Sequence, residues 1–329
     1  MEGEFLIEGK SLLSLIIIVY NFNLTKMKNF IINTTLIIIA VIIYGCDKPA
    51  PTELINDVSD GEQLEYEILT NDLNENNVSR GTDTSGIMQD FKGLRNLISV
   101  SGIKITNDNH TVEFCLAQGF FFDWTQPVYY SNERLLGYKT IIPGIMKFDN
   151  NLARIVEYKV RFRDRGEFQD TVLGNKFILY RSKSGMGDPF WFEYGSPVSF
   201  EFQPVSGEPV SFDIPTLKEI TGTVQLRGNS SDKNLEAVLE WNETEGKRVW
   251  VVLGVVRQGQ MSSLPVYRFG VKDRNKLIIP KRFFNELQLQ NFSKLVFTFI
   301  RSIEKIERHG EINLFVSSQN IHSIVIDIP

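Results

Sequence analysis

Few side chains in this 329-residue chain are of types that do chemistry, and it has only two cysteines and three histidines. Cys115 lies in a strand-like run, 111–117, where a buried and inert thiol is the ordinary state of a free cysteine. His110, His309 and His322 never fall within four residues of one another, so no local metal pair forms. They sit at a hairpin turn, in a charged loop over 304–311 and near the start of the last strand, and read as surface or edge positions. Ser302 and Lys305 have the Ser-x-x-Lys spacing of a nucleophile beside its base. The companion motifs of penicillin-recognising enzymes are missing, and the setting is a strand end rather than a helix. Glu243 with Glu245 and Asp164 with Glu167 are carboxylate pairs of the kind glycosidases use, but spacing does not fix the separation of about 5–9 Å they need. Turn solvation accounts for them. There is no Gly-x-Ser-x-Gly, no His-Glu-x-x-His and no phosphate loop. No cofactor is expected, and an enzyme would need a site assembled from distant residues.

Two groups bear on binding. Asp72, Asn74, Asn76 and Asp83 place oxygens at positions 1, 3, 5 and 12 of a calcium-type loop. Asn77 replaces the usual glycine and Arg80 would repel a cation, so a solvated polar loop is the preferred reading. The aromatic runs 120–124 and 190–194 put rings on both faces of their expected strands. Trp124 or Trp191, if exposed, would stack on a sugar ring or anchor a partner. Core packing is the ordinary fate of Phe-rich strands.

The elements that would position these groups begin with an apolar leader. Lys26 and Lys28 precede residues 30–43, which are apolar apart from Asn33, Thr34 and Thr35. Gly45 and Cys46 follow, then polar, Pro-containing sequence. Positive start, apolar centre and small residue before the cut describe a secretory signal. With Cys46 directly after the small residue, the stretch resembles the lipobox of bacterial lipoproteins. That resemblance implies a diacylglycerol on the Cys46 sulfur, cleavage before it and acylation of the freed amine. Two or three acyl chains give lasting attachment. A membrane-spanning anchor is the alternative, but spanning needs about 20 apolar residues. Residues 1–26 carry acidic Glu2, Glu4 and Glu8 and a second apolar run, 12–22, and fit either an early-assigned start or an extra apolar segment. The expected organisation is a signal peptide over 27–46, a polar, acidic tether over 47–96, and two domains over 97–214 and 215–329.

The formal net charge is −5, which argues against a nucleic-acid partner. Abundant Phe, Val and Ile predict strands. From Leu97 onward the pattern has period two, and 154–162 alternates one wet face with one dry. The echo 197–202 and 209–214 reads as an antiparallel hairpin, and 190–194 as a strand. Beyond Pro215, seven or eight short strands over roughly 115 residues, with Trp241 as a core aromatic, predict an immunoglobulin-like sandwich. Residues 277–287 and 295–301 resemble a C-terminal module of bacterial envelope lipoproteins of no assigned activity. In it a strand meets an Ile-Pro step, a short helix follows, and an apolar strand ends in Arg. Pro280 is placed to open the helix, and Phe283, Phe284 and Leu287 to plug the sandwich. The expected fold is therefore all-β, with two antiparallel sandwiches behind an anchor and a tether. The expected role is non-catalytic binding or scaffolding at the cell envelope, most simply the outer membrane, with an envelope protein or polysaccharide as partner. A carbohydrate-binding module is the alternative.

Overall fold

Period-two alternation of large apolar residues needs two sheets facing each other, and the computed structural model supplies them. It describes residues 53–56, 63–69 and 96–329, with short gaps at 109, 131–133, 165–166, 192, 243–247, 261–262, 273–274 and 311. The fold is all-β. In chain order the strands are β1 (Glu53–Asn56), β2 (Gln63–Ile68), β3 (Asn96–Asn107), β4 (His110–Tyr130), β5 (Arg134–Ile141), β6 (Gly144–Phe148), β7 (Asn151–Leu152), β8 (Arg154–Asp164) and β9 (Glu167–Ser182). They continue with β10 (Val198–Pro204), β11 (Val210–Ile214), β12 (Gly222–Arg227), β13 (Glu236–Trp241), β14 (Arg248–Arg257), β15 (Ser263–Lys272) and β16 (Lys276–Ile279). The helix α1 (Lys281–Asn285) precedes β17 (Phe292–His309) and β18 (Ile312–Asp327).

One large sheet runs in the order β1-β2-β15-β14-β17-β18-β3-β4-β9-β8, with β5 also on β4. Two small sheets, β12-β13-β16 and β11-β10-β6-β7, stand beside it. Core one packs the first small sheet on the large one through Leu239, Trp241, Val251, Phe269, Phe297 and Phe299. Pro280 opens α1, and Phe283, Phe284 and Leu287 are buried in this core, as their spacing predicts. Core two packs the second small sheet through Phe121, Phe148, Phe177, Phe200 and Phe202. The β10–β11 hairpin forms in the register its echo suggests, Val198 opposite Ile214.

Where the sequence suggests two bodies meeting at 214–215, one sheet passes through both cores. The seam is the pairing of β3 with β18, which is parallel, so the sheet is mixed rather than wholly antiparallel. A parallel pair needs a long crossover, and here nearly the whole described chain provides it. The long strand β18 serves both cores, and β17 pairs with it along its length. Phe297 and Phe299 lie in core one, whereas Leu314 and Val316 lie in core two. The residues from Thr52 to Pro329 cluster as one unit.

Three local expectations change. Part of the stretch read as a tether is sheet: Tyr66 of β2 is buried against Phe269 and Phe283. The described residues of 190–194, Phe190, Trp191, Glu193 and Tyr194, are not in a strand. Phe190 instead turns fully inward, and its carbonyl accepts a hydrogen bond from the Cys115 thiol at 3.3 Å. The charged segment 304–309 is strand, not loop, because its charged side chains project beyond the packed part of β17. The helix content is slight, and among the described residues no helix is long and apolar enough to cross a membrane.

Candidate functional site

The two small sheets cover one face of the large sheet. The other, the back face, carries a pattern set by strand register. Side chains alternate faces along a strand, so residues paired across strands form rows. One apolar row is Trp250 of β14, Ile300 of β17, Ile321 of β18, Ile103 of β3 and Phe114 of β4. The next row along the strands is Ser302, Gln319, Ser101, Leu116 and Tyr180. After it come Glu304, Ser317, Ser99 and Gln118, then Ile306, Phe315, Leu97 and Phe120. Two largely polar rows thus lie between two apolar ones.

The centre of the polar rows, on β18 and β3, is closed to solvent, whereas Glu304 at its end on β17 is exposed. Ser317 is 0% exposed, Gln319 3%, Ser99 4% and Ser101 6%. Ser317 Oγ and Gln319 Nε2 are buried without a hydrogen-bond partner. Neighbouring polar atoms are engaged. Lys176 Nζ donates to Gln118 Oε1 at 2.8 Å and lies 5.3 Å from the centre of the Phe120 ring. Burial holds that ammonium below its ordinary pKa. The rim is aromatic: Phe114 and Tyr180 pack at 5.6 Å, and the guanidinium groups of Arg248 and Arg268 lie 4.7 and 4.3 Å from the centre of the Trp250 ring.

Of the residues singled out from sequence, Cys46 and the loop of Asp72, Asn74, Asn76 and Asp83 lie outside the described residues. Trp124 is half-buried, its ring 4.2 Å from that of Tyr138 and 6.4 Å from that of Phe122, with Nε1 buried and unpartnered. Trp191 is half-buried against core two. The two indoles therefore belong to different packing groups and are not brought together. Ser302 and Lys305, three apart on one strand, point to opposite faces, and Lys305 Nζ donates to the carbonyl of Asp213. Asp164 and Glu167 are backbone partners in the β8–β9 register, and 243–247 lies outside the described residues. Among the described residues no group of three or more His, Cys, Asp or Glu is placed to hold a metal ion.

His322 departs from its expected edge position. It is 4% exposed, well inside β18, and faces the small sheet of core one. The Gly222 N–H donates to its Nδ1 at 2.8 Å, which leaves the ring proton on Nε2, 3.0 Å from Thr106 Oγ1. The junction between the cores is closed by segment 215–221. Asn320 Nδ2 donates to the carbonyls of Leu217 and Lys218 at 2.6 and 2.7 Å.

Ser99, Ser101, Ser317 and Gln319 were not visible as a group in the sequence. The serines look like the wet side of ordinary strands and Gln319 like part of a break between two strands, and only the parallel β3–β18 pairing lays them side by side. Comparison of this chain with protein-family models, with curated proteins and with solved structures finds no match.

Proposed function

We propose that this is a lipid-anchored cell-envelope protein with a non-catalytic binding role, held by Cys46 at the outer membrane and taking its ligand on the back face of the large sheet. The supporting observation is the aromatic pair Phe114 and Tyr180 at the margin of that face, ring centres 5.6 Å apart, with Tyr180 36% exposed. Exposed rings of this kind give a partner apolar contact area with a polar handle.

Each half has its own test. For the anchor, wild type is expected in the membrane fraction with a mature N-terminus at Cys46 carrying acyl mass. Cys46→Ala is expected almost wholly in the soluble fraction, unprocessed or unacylated. A wild-type chain that begins upstream of Cys46 without fatty acid overturns the anchor. For the binding face, hydroxyl-radical footprinting with an extract of the producing cell's envelope is expected to shield Tyr180 and Phe114 several-fold. Leu152, 61% exposed on a small sheet, should be unaffected. Equal labelling of Tyr180 with and without extract removes the binding reading.

A further inference from the structure

We infer that residues 70–95, the link between β2 and β3, lie diagonally across the back face of the large sheet as a third layer of the fold. Phe114 and Tyr180 sit to one side of that diagonal, so the binding reading neither requires this layer nor excludes it.

Three features point to the layer. The first is where burial falls. The two small sheets pack on the other face, yet back-face side chains are closed to solvent along one diagonal. It runs from Arg268 and Val252 through Ile300 and Ile321, past Gln319, Ser101, Ser317 and Ser99, to Leu97 and Phe120, each at most 7% exposed. Off the diagonal the same face is open, with Ile306 50% exposed on one side and Val112 56% on the other. A sheet face turned to water carries polar residues. Ile300 and Ile321, in the middle of this one, need a layer over them. The second feature is the path. Leu69 leaves β2 packed on Val252, Ile300 and Ile321, at one end of the diagonal. β3 starts at Asn96, beside Leu97 at the other end. Register sets Ile68 level with Thr106 through Tyr267, Leu253, Phe297 and Ile324. Five strand steps and ten residues separate Ile68 from Asn96, roughly 24 Å by 33 Å, or about 41 Å in a straight line. The 26 residues of the link reach up to about 90 Å, so they cross with slack to fold against the sheet. The third feature is polarity in order. Along the diagonal the sheet offers apolar, polar and again apolar ground. The link runs from Leu73 and Val78 to Thr82, Asp83, Thr84 and Ser85, then to Ile87, Met88, Phe91 and Leu94 at the spacing of one helix face. Asp72 and Glu75 come early, on the side where Arg248 and Arg268 lie against Trp250.

The test puts one thiol beneath the link, Ser317→Cys in a full chain that also carries Cys46→Ala and Cys115→Ser. Cys115 in the Cys46→Ala chain is the control in core two. The new thiol should react with a thiol reagent as slowly as Cys115. Ile87→Asp together with Phe91→Asp should accelerate the new thiol about a hundredfold and leave Cys115 unchanged. A fast new thiol beneath the native link, or one unaffected by the two aspartates, overturns the inference. Removing residues 1–45 should leave the new thiol slow. A fast thiol in that shortened chain assigns the cover to the leader, and a rate that rises on dilution assigns it to a second copy; either overturns the inference. If the double variant fails to fold, trypsin decides on the wild type. Lys92 and Arg95 should resist cleavage in the native chain, and cutting at Lys92 as fast as in denaturant overturns the layer.

Discussion

Truncating Phe299 to alanine is expected to destabilise the whole described unit, not only the half that contains the residue. Phe299 is 0% exposed, with its ring 5.8 Å from Trp241 and 6.3 Å from His322. It fills the space above Gly222, where an added Cβ would meet the ring at 2.5 Å. Removing a buried Phe side chain costs about 3–5 kcal/mol in lost transfer energy and cavity formation. In a domain of this size that lowers Tm by roughly 10 °C. The informative readout lies in the other core. Cys115 is 1% exposed in core two, and in a Cys46→Ala background it is the only thiol. Its reaction with a thiol reagent reports how often core two opens. Because β18 carries residues of both cores and pairs with β17 from Lys294 to His309, Phe299→Ala should accelerate Cys115 labelling about a hundredfold to a thousandfold, a factor of ten per 1.4 kcal/mol. Unchanged labelling, with Tm lowered only for a first of two transitions, would mean that the halves open separately.

The all-β class, the β10–β11 hairpin, the Pro280 helix start and the Trp241 core position are legible because each rests on local pattern. Alternation, a proline at a first turn and a turn-rich link act within a dozen residues. What the sequence hides is long-range. Residues 312–317 and 321–328 read as two separate strands, because Ser318, Gln319 and Asn320 between them look like a break. In the structure they are the middle of one strand. Asn320 is held by the Leu217 and Lys218 carbonyls, and Ser317 and Gln319 face the back of the sheet. The parallel partner of this strand lies more than two hundred residues earlier, and no turn signal marks such a pairing. The candidate site depends on that pairing, so it was invisible for the same reason. Phe190 misleads in the opposite way. Its neighbours have strand composition, yet Phe148 and Cys115 give it a better place inside core two than a ladder position would.

Mild acid is expected to weaken this protein through His322. The ring belongs to β18 and is enclosed by Thr106 and Lys104 of β3, Gly222 of β12 and Phe299 of β17, with Glu219 and Glu113 as the nearby carboxylates. Lys104 is paired with Glu219 at 3.2 Å. Burial first, then the Lys104 charge, push the imidazole pKa down from 6.5 to about 4, against the pull of Glu219 and Glu113. The geometry gives the same direction. Nδ1 accepts the Gly222 N–H, so a proton there would set donor against donor and break the bond that ties β12 to the large sheet. In the unfolded chain the ring takes its proton near pH 6.5, whereas in the folded chain it does so only near pH 4. The stabilisation is therefore complete above pH 6.5, declines as pH falls from there, and is gone below about 4. The full interval sets a ceiling of about 3.4 kcal/mol at 1.36 kcal/mol per unit. With allowance for solvent near the ring, about 2 kcal/mol is the expected loss between pH 7 and 4. His322→Gln can keep both hydrogen bonds, accepting from Gly222 and donating to Thr106, without titrating. Denaturant unfolding at a series of pH values should show wild type losing about 2 kcal/mol more than His322→Gln over that range, with carboxylate contributions common to both. Parallel pH profiles for the two proteins would mean that His322 is already free to take its proton in the folded state.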